Sequence, residues 1–296
     1  MSKWPPDPFV APTDPLTTPS SRFFRELHYS VIKGYRPLTM DVWTPLAEKP
    51  MGVVLWVHGG AFFYGDRITL PGTLFPNQLR DTVLEAGLAF ASIDYRLSGE
   101  CVFPGQLHDV KAAIRYLRHC ARDLGINGDR IGLWGESAGG HLVAFAALTG
   151  DDPAHEGTTG ALGVSSAVTC CVDWYGPVDF ETLLQGPPNP NADELGRTPE
   201  ELLIGALADE RPDLLAAASP INFVSSRGAP MLLMHGEDDS LVPVSQSQDF
   251  AAALTNVGVE VELVTVPGAN HIFMGYPDVT SLVHQSVAYL RSRLAD

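Results

Sequence analysis

Two segments near the start of the chain alternate apolar and polar side chains, RELHYSVI (residues 25–32) and LTMDVWT (38–44), with KGYRP between them as a hairpin turn. Alternation with a period of two marks half-buried strands, so an antiparallel opening is predicted. From residue 52 the pattern changes to short unbroken apolar runs: GVVLWVH (52–58), GLAFASID (87–94), RIGLWG (130–135), AVTCCVDW (167–174), PMLLMHG (230–236) and VEVELVTV (259–266). Such runs suit strands buried on both faces, as in parallel sheets covered by helices.

Helical periodicity fills the intervals. In residues 106–124, Leu107, Val110, Ile114, Leu117, Ala121 and Leu124 recur at three- and four-residue spacing, which predicts one apolar stripe against a sheet, with Asp109, Lys111, Arg115 and Arg118 mostly outside it. Segments 245–257 and 279–294 have the same amphipathic character. The predicted architecture is therefore α/β: a mostly parallel eight-stranded sheet with helices on both faces. Residues 178–224 offer Pro-rich loops and short helices but no convincing strand, and read as a small helical lid or substrate-shaping insertion. Residues 1–22 read as a Pro-rich tail, leaving 23–296 as a single domain.

Composition narrows the partners. The chain of 296 residues carries 19 basic and 35 acidic side chains, net charge −16, so nucleic acid is excluded as a partner and acidic substrates are disfavoured. A stretch apolar enough for a signal peptide or a membrane span is missing from the sequence, which predicts a cytoplasmic protein with no membrane span. A homodimer is compatible with these features. Cys101, Cys120, Cys170 and Cys171 lack metal-ligand spacing and are expected as free thiols, mostly buried; neither a metal nor another cofactor is implied.

The candidate chemistry centres on GESAGG (135–140), a G-x-S-x-G match lying between a buried strand and a helix. That context would lift the Ser137 hydroxyl above the carboxyl edge of the sheet, with Gly135 and Gly139 relieving crowding. A serine needs a base, and His271 in GANHIF follows the last strand at the same edge; His28, His119, His141 and His284 suit structural roles better. A carboxylate partner for the imidazole is expected between the two, and Glu237, Asp238 and Asp239 all stand at the end of one more strand. The glycines of HGGAFFYGD (58–66), Gly59 and Gly60, allow a tight turn whose amides converge with that of Ala138 on an oxyanion. His58 and His235 read as structural braces, Glu136 as a hydrogen-bonded support of the turn, and Asp94 with Arg96 as an ion pair. Phe62, Phe63, Trp174 and Tyr175 adjoin the motif loops, where they line either a substrate pocket or the core.

Taken in order, HGGAF, DYRL, GESAGGH, DWYGPVD, HGEDDSLVP and GANHIF resemble the motifs of bacterial α/β-hydrolase-fold esterases from about Phe24 to the C-terminus. The similarity is greatest to the branch with feruloyl and acetyl-xylan esterases, and more distant to the hormone-sensitive-lipase group and kynurenine formamidases. The resemblance implies the α/β-hydrolase fold and a serine carboxylic-ester hydrolase, expected to work through an acyl-enzyme; the aromatic residues beside the motif loops add the expectation of small-molecule short-chain acyl or aromatic esters as substrates. It makes Ser137 the nucleophile, His271 the base and, through the spacing HGxxDxxVP, Asp239 the carboxylate, with Asp238 the fallback. It puts oxyanion donors at Gly60, Ala61 and Ala138. The lipase-like relatives have a third glycine where this chain has Ala61, which leaves open which of Gly59, Gly60 and Ala61 donates. The rival readings are a formamidase-type amidohydrolase and a non-catalytic binding protein of the same fold. Phe62 and Glu136 stand where formamidases often have tryptophan and histidine, and a binding protein usually lacks a member of the triad.

Overall fold

The computed structural model describes residues 7–47, 49–186 and 190–295, so the first six residues of the expected tail and three of the insertion lie outside the description. Among the described residues one sheet of nine strands forms: β1 (Leu16–Thr17), β2 (Ser21–Ser30), β3 (Leu38–Pro45), β4 (Met51–Val57), β5 (Ala89–Ile93), β6 (Ile126–Glu136), β7 (Cys170–Trp174), β8 (Met231–Gly236) and β9 (Val261–Val266), in the spatial order β1-β2-β3-β5-β4-β6-β7-β8-β9. The first three strands run antiparallel and the rest parallel. The eight strands predicted from apolar patterning are β2 to β9. The ninth, β1, is two exposed residues paired with Phe23 and Arg22, too short to carry any periodicity. It lies within the expected tail, and the expected boundary at residue 22 falls inside β2.

Alternate residues of the central strand feed two cores. Val53, Leu55 and Val57 face one, with Leu107, Val110 and Ile114 of α2 (Gly105–His119), Leu142 and Phe145 of α4 (Ala138–Leu148), and Phe250 of α8 (Ser245–Asn256). Val54 and Trp56 face the other, with Leu79 and Val83 of α1 (Gln78–Glu85) and Val283, Val287 and Leu290 of α9 (Val279–Leu294). The neighbouring Cys170 and Cys171 divide between the cores for the same reason. All four cysteines are free, and Cys101 is half-buried rather than buried.

Two local readings are corrected. The stretch 106–124 is broken at Cys120 into α2 and the one-turn α3 (Ala121–Leu124), and α2 is buried on its charged side as well: Asp109, Lys111 and Arg115 are at most 1% exposed. The segment after α4 covers that side, with Glu156 bonded to Lys111 Nζ (2.8 Å) and Arg115 Nη1 (2.6 Å). Asp94 and Arg96 do not pair with each other. The chain leaves β5 at Ile93, so their side chains diverge: Asp94 accepts from Arg67 (3.0 Å) and Thr39, while Arg96 forms a two-pronged bond to Asp109 (2.7 and 2.8 Å).

Between β7 and β8 the insertion is helical, with α5 (Phe180–Leu184), α6 (Pro199–Ile204), α7 (Pro212–Ala217) and a 3-10 turn at Pro220–Phe223. A capping box starts α6: the Thr198 hydroxyl accepts from Glu201 N, and Glu201 Oε2 accepts from Thr198 N.

Candidate active site

β6 ends at Glu136 and α4 begins at Ala138, so Ser137 forms the whole connection, held at φ 53° and ψ −120°. That conformation is rare for a side chain other than glycine and is sustained by its surroundings. Ser137 N donates to Trp174 O (2.8 Å), and Ser137 O accepts from His141 N (3.0 Å). Close packing explains the flanking glycines. A Cβ on Gly135 would lie 2.3 Å from Gly139 O, and one on Gly139 would lie 2.0 Å from Val57 O.

From this turn a chain of hydrogen bonds runs across the sheet edge. His271 Nε2 is 3.0 Å from Ser137 Oγ, and His271 Nδ1 is 2.7 Å from Asp239 Oδ2. Asp239 is buried, and its Oδ1 accepts from the amides of Leu241 and Val242 (2.9 Å each), whereas its neighbour Asp238 is exposed. Burial works to raise the Asp239 carboxyl, but the hydrogen bonds from His235 and His271 outweigh it and hold the group well below the usual carboxylate range. The Asn270 carboxamide oxygen accepts from Ser240 N (3.0 Å) and His271 N (2.7 Å), tying the two loops together. Tyr175 meets the His271 ring edge-on at 4.9 Å. His235 is a buried brace, as expected, bonded to Ser247 Oγ and Val242 O (2.7 Å each).

The loop after β4 turns through three successive positive φ angles at Gly60 (105°), Ala61 (51°) and Phe62 (65°). Gly59 N donates to Glu136 Oε1 (2.8 Å), which makes Glu136 the support of the turn and occupies that amide. Among the described residues, backbone hydrogen bonds leave the amides of Gly60 and Ala61 unused. Ala138 is the first residue of α4, where an amide has no acceptor within the helix. His58 braces the loop from beneath through Gly59 O (2.7 Å) and by stacking on Tyr95.

A small cavity of about 40 Å³ opens at Ser137 and His271, lined also by Ala61, Phe62, Leu241, Pro199 and Glu200. Of the four aromatic candidates, Phe62 lines it. Trp174 is fully buried among Trp56, Trp134 and Phe273, and Tyr175 packs on His271 and Phe273; both are core side chains, Trp174 as the last residue of the interior strand β7 and Tyr175 directly after it. Phe63 packs on Tyr64 instead. The insertion residues Pro199 and Glu200 carry no motif in the sequence that marks them as part of a site. The insertion's sequence predicts short helices, but which side of a helix meets the serine depends on a packing angle. A larger cavity of about 710 Å³, around Trp43, Leu74 and Arg80, contains none of the candidate catalytic residues.

The sequence model of the BD-FAE family matches residues 40–254. The esterase LipQ of Mycobacterium tuberculosis is 33% identical over 253 residues, covering 81% of this chain and 55% of that protein. The esterase LipC of the same organism is 32% identical over 79% of this chain and 56% of its own length. The chain thus spans about half the length of these curated relatives. Among solved structures, a truncated carbohydrate esterase from gut microbiota superposes with a TM-score of 0.75 at 29% identity, covering 93% of this chain and 100% of that one. An acetyl ester-xyloside bifunctional hydrolase from Caldicellulosiruptor lactoaceticus gives 0.69 at 25% identity, over 87% and 88% of the two chains. With its mostly parallel sheet and covering helices, this is an α/β-hydrolase fold.

Proposed function

The chain belongs to the BD-FAE family, and from that premise we propose that it is a serine carboxylic-ester hydrolase working through an acyl-enzyme. The observation that carries this reading is the unbroken link Ser137 Oγ to His271 Nε2 (3.0 Å) and His271 Nδ1 to Asp239 Oδ2 (2.7 Å). In the proposed cycle His271 takes the Ser137 proton as Oγ attacks the ester carbonyl, and Asp239 stabilises the imidazolium. The oxyanion receives the amides of Gly60, Ala61 and Ala138. Gly59 drops out as a donor because its amide is bonded to Glu136. His271 then returns the proton to the departing alcohol, leaving an acyl group on Ser137. Water, activated by the same imidazole, resolves the acyl-enzyme.

The small cavity supports short acyl groups as substrates. The proposed substrate class is accordingly short-chain acyl or small aromatic esters, with no cofactor. The test pairs a fluorophosphonate probe with p-nitrophenyl acetate. Covalent labelling at Ser137 and saturable hydrolysis that is lost in Ser137→Ala are expected; an S137A variant as active as the wild type would overturn the reading.

A further inference from the structure

The cavity beside Ser137 carries one acidic side chain that the hydrolytic cycle leaves unused. Glu200, at the second position of α6, is 4% exposed and lines the cavity together with Ser137, His271 and Phe62. Its Oε2 is buried and has no hydrogen-bond partner among the described residues. The capping box of α6 is complete without it: the next residue, Glu201, pairs with Thr198 and also accepts from Ala208 N (3.0 Å). Burial pushes the Glu200 carboxyl up, its own amide and the Thr198 hydroxyl pull partly against this, and Glu201 adds repulsion; no cation is among the groups that bear on it. A buried carboxyl oxygen without a partner costs stability, and a ligand that enters this cavity can supply the missing bond.

Resting on the hydrolase reading above, we propose that Glu200 is a specificity-determining residue that accepts a hydrogen bond from a free hydroxyl of the ester substrate. A hydroxyl suits the place better than an ammonium. His271 becomes positive in the same cavity during acylation, and a second cation beside it would oppose that step. The hydroxyl can belong to the alcohol or to the acyl part, and two substrate pairs separate these sources. Glycerol monoacetate against propyl acetate reads the alcohol side; ethyl glycolate against ethyl acetate reads the acyl side.

The experiment measures kcat/KM of the wild type, Glu200→Leu and Glu200→Gln on all four esters. A site built to bond a hydroxyl discriminates strongly against the analogue without one, so the wild type is expected to favour the hydroxylated member of one pair by about tenfold or more. In E200L that ratio falls to about twofold or less through loss on the hydroxylated ester, and E200Q, which keeps an acceptor, lies between. A wild type with no preference in either pair overturns the proposal, as does an E200L that loses both members of the favoured pair equally. Should E200L not fold, E200Q decides: a ratio equal to that of the wild type overturns it. Failure of the wild type to turn over any of the four esters would sink the hydrolase reading and this inference with it, whereas turnover at equal rates sinks the inference alone.

Discussion

At the scale of single residues, the two neighbouring aspartates after β8 have opposite fates. Asp239 is buried and bonded to His271, while Asp238 points to solvent. In Asp239→Asn the shape is kept but the charge facing the imidazolium is lost. A fall in kcat of about 10³ to 10⁴ on p-nitrophenyl acetate is expected, against little change in Asp238→Asn. The reverse ranking would displace Asp239 from the site. Asp173, the penultimate residue of β7, offers a test by pH. Burial raises its carboxyl to about 6, opposed in part by the bond from Gly176 N to its Oδ1, and its Oδ2 is unpartnered. A folded-state value above the unfolded one means that the protonated form is favoured by folding. Its stabilisation is complete below about pH 4 and is lost as pH rises through 6. Relative to Asp173→Asn, the wild type is therefore expected to lose roughly 3 kcal/mol between those limits and nothing further above them. Urea denaturation of both proteins at pH 4, 5, 6 and 7 reads this directly; a gap that does not change with pH would disprove it.

At the scale of elements, the β6–α4 turn leaves no room for side chains at its glycines. A Cβ on Gly139 meets Val57 O at 2.0 Å and His58 O at 2.5 Å, backbone atoms that cannot rotate aside. Gly139→Ala is expected to destabilise the fold by about 3 kcal/mol or more, since strand and helix would have to separate. Gly72, which has nothing within 4 Å of a Cβ, is the control and should tolerate alanine with little change. Denaturation midpoints compare the two, and equal midpoints would refute the packing argument. α2 teaches the converse about reading elements from sequence. Its apolar stripe predicted the side facing the sheet correctly, but its charged side is buried too, because Glu156 comes from a distant segment to neutralise Lys111 and Arg115. Periodicity identifies the more apolar face of a helix and is silent on whether another segment covers the rest.

At the scale of the whole molecule, the cavity at Ser137 is walled from three directions: the loop after β4 gives Ala61 and Phe62, the loop after β8 gives Leu241 and Val242, and the insertion gives Pro199 and Glu200. These walls limit the space at the serine. For p-nitrophenyl esters, kcat/KM is expected to be highest for acetate or butyrate and to fall by about tenfold or more by octanoate, because overfilling a packed site costs binding energy. Efficient turnover of palmitate with none of acetate would contradict the geometry. Among the described residues, no helix is long and apolar enough to cross a membrane.

The sequence by itself determined the eight strands β2 to β9, the helices α2, α4, α8 and α9, and the order of the loops bearing Ser137, Asp239 and His271; the short α1, which also covers the sheet, was not among them. Strand patterning is local, and the tight strand-to-helix turn announces itself through Gly135 and Gly139, residues whose reason is a close approach of backbones. Everything that required two distant segments to meet was decided by tertiary structure. The amide of Gly59 is consumed by Glu136, which lies 77 residues further on. Asp94 turns to Arg67 and Arg96 to Asp109, although the two are near neighbours in the chain. Trp174 and Tyr175 stand beside a motif yet belong to the core, and in the stretch read as a lid or substrate-shaping insertion it is the packing that brings Glu200 to the cavity. Local pattern fixes which backbone a segment adopts, because that depends on the segment's own side chains. Which polar groups find each other depends on packing angles and loop paths, and these exist only once the whole sheet is assembled.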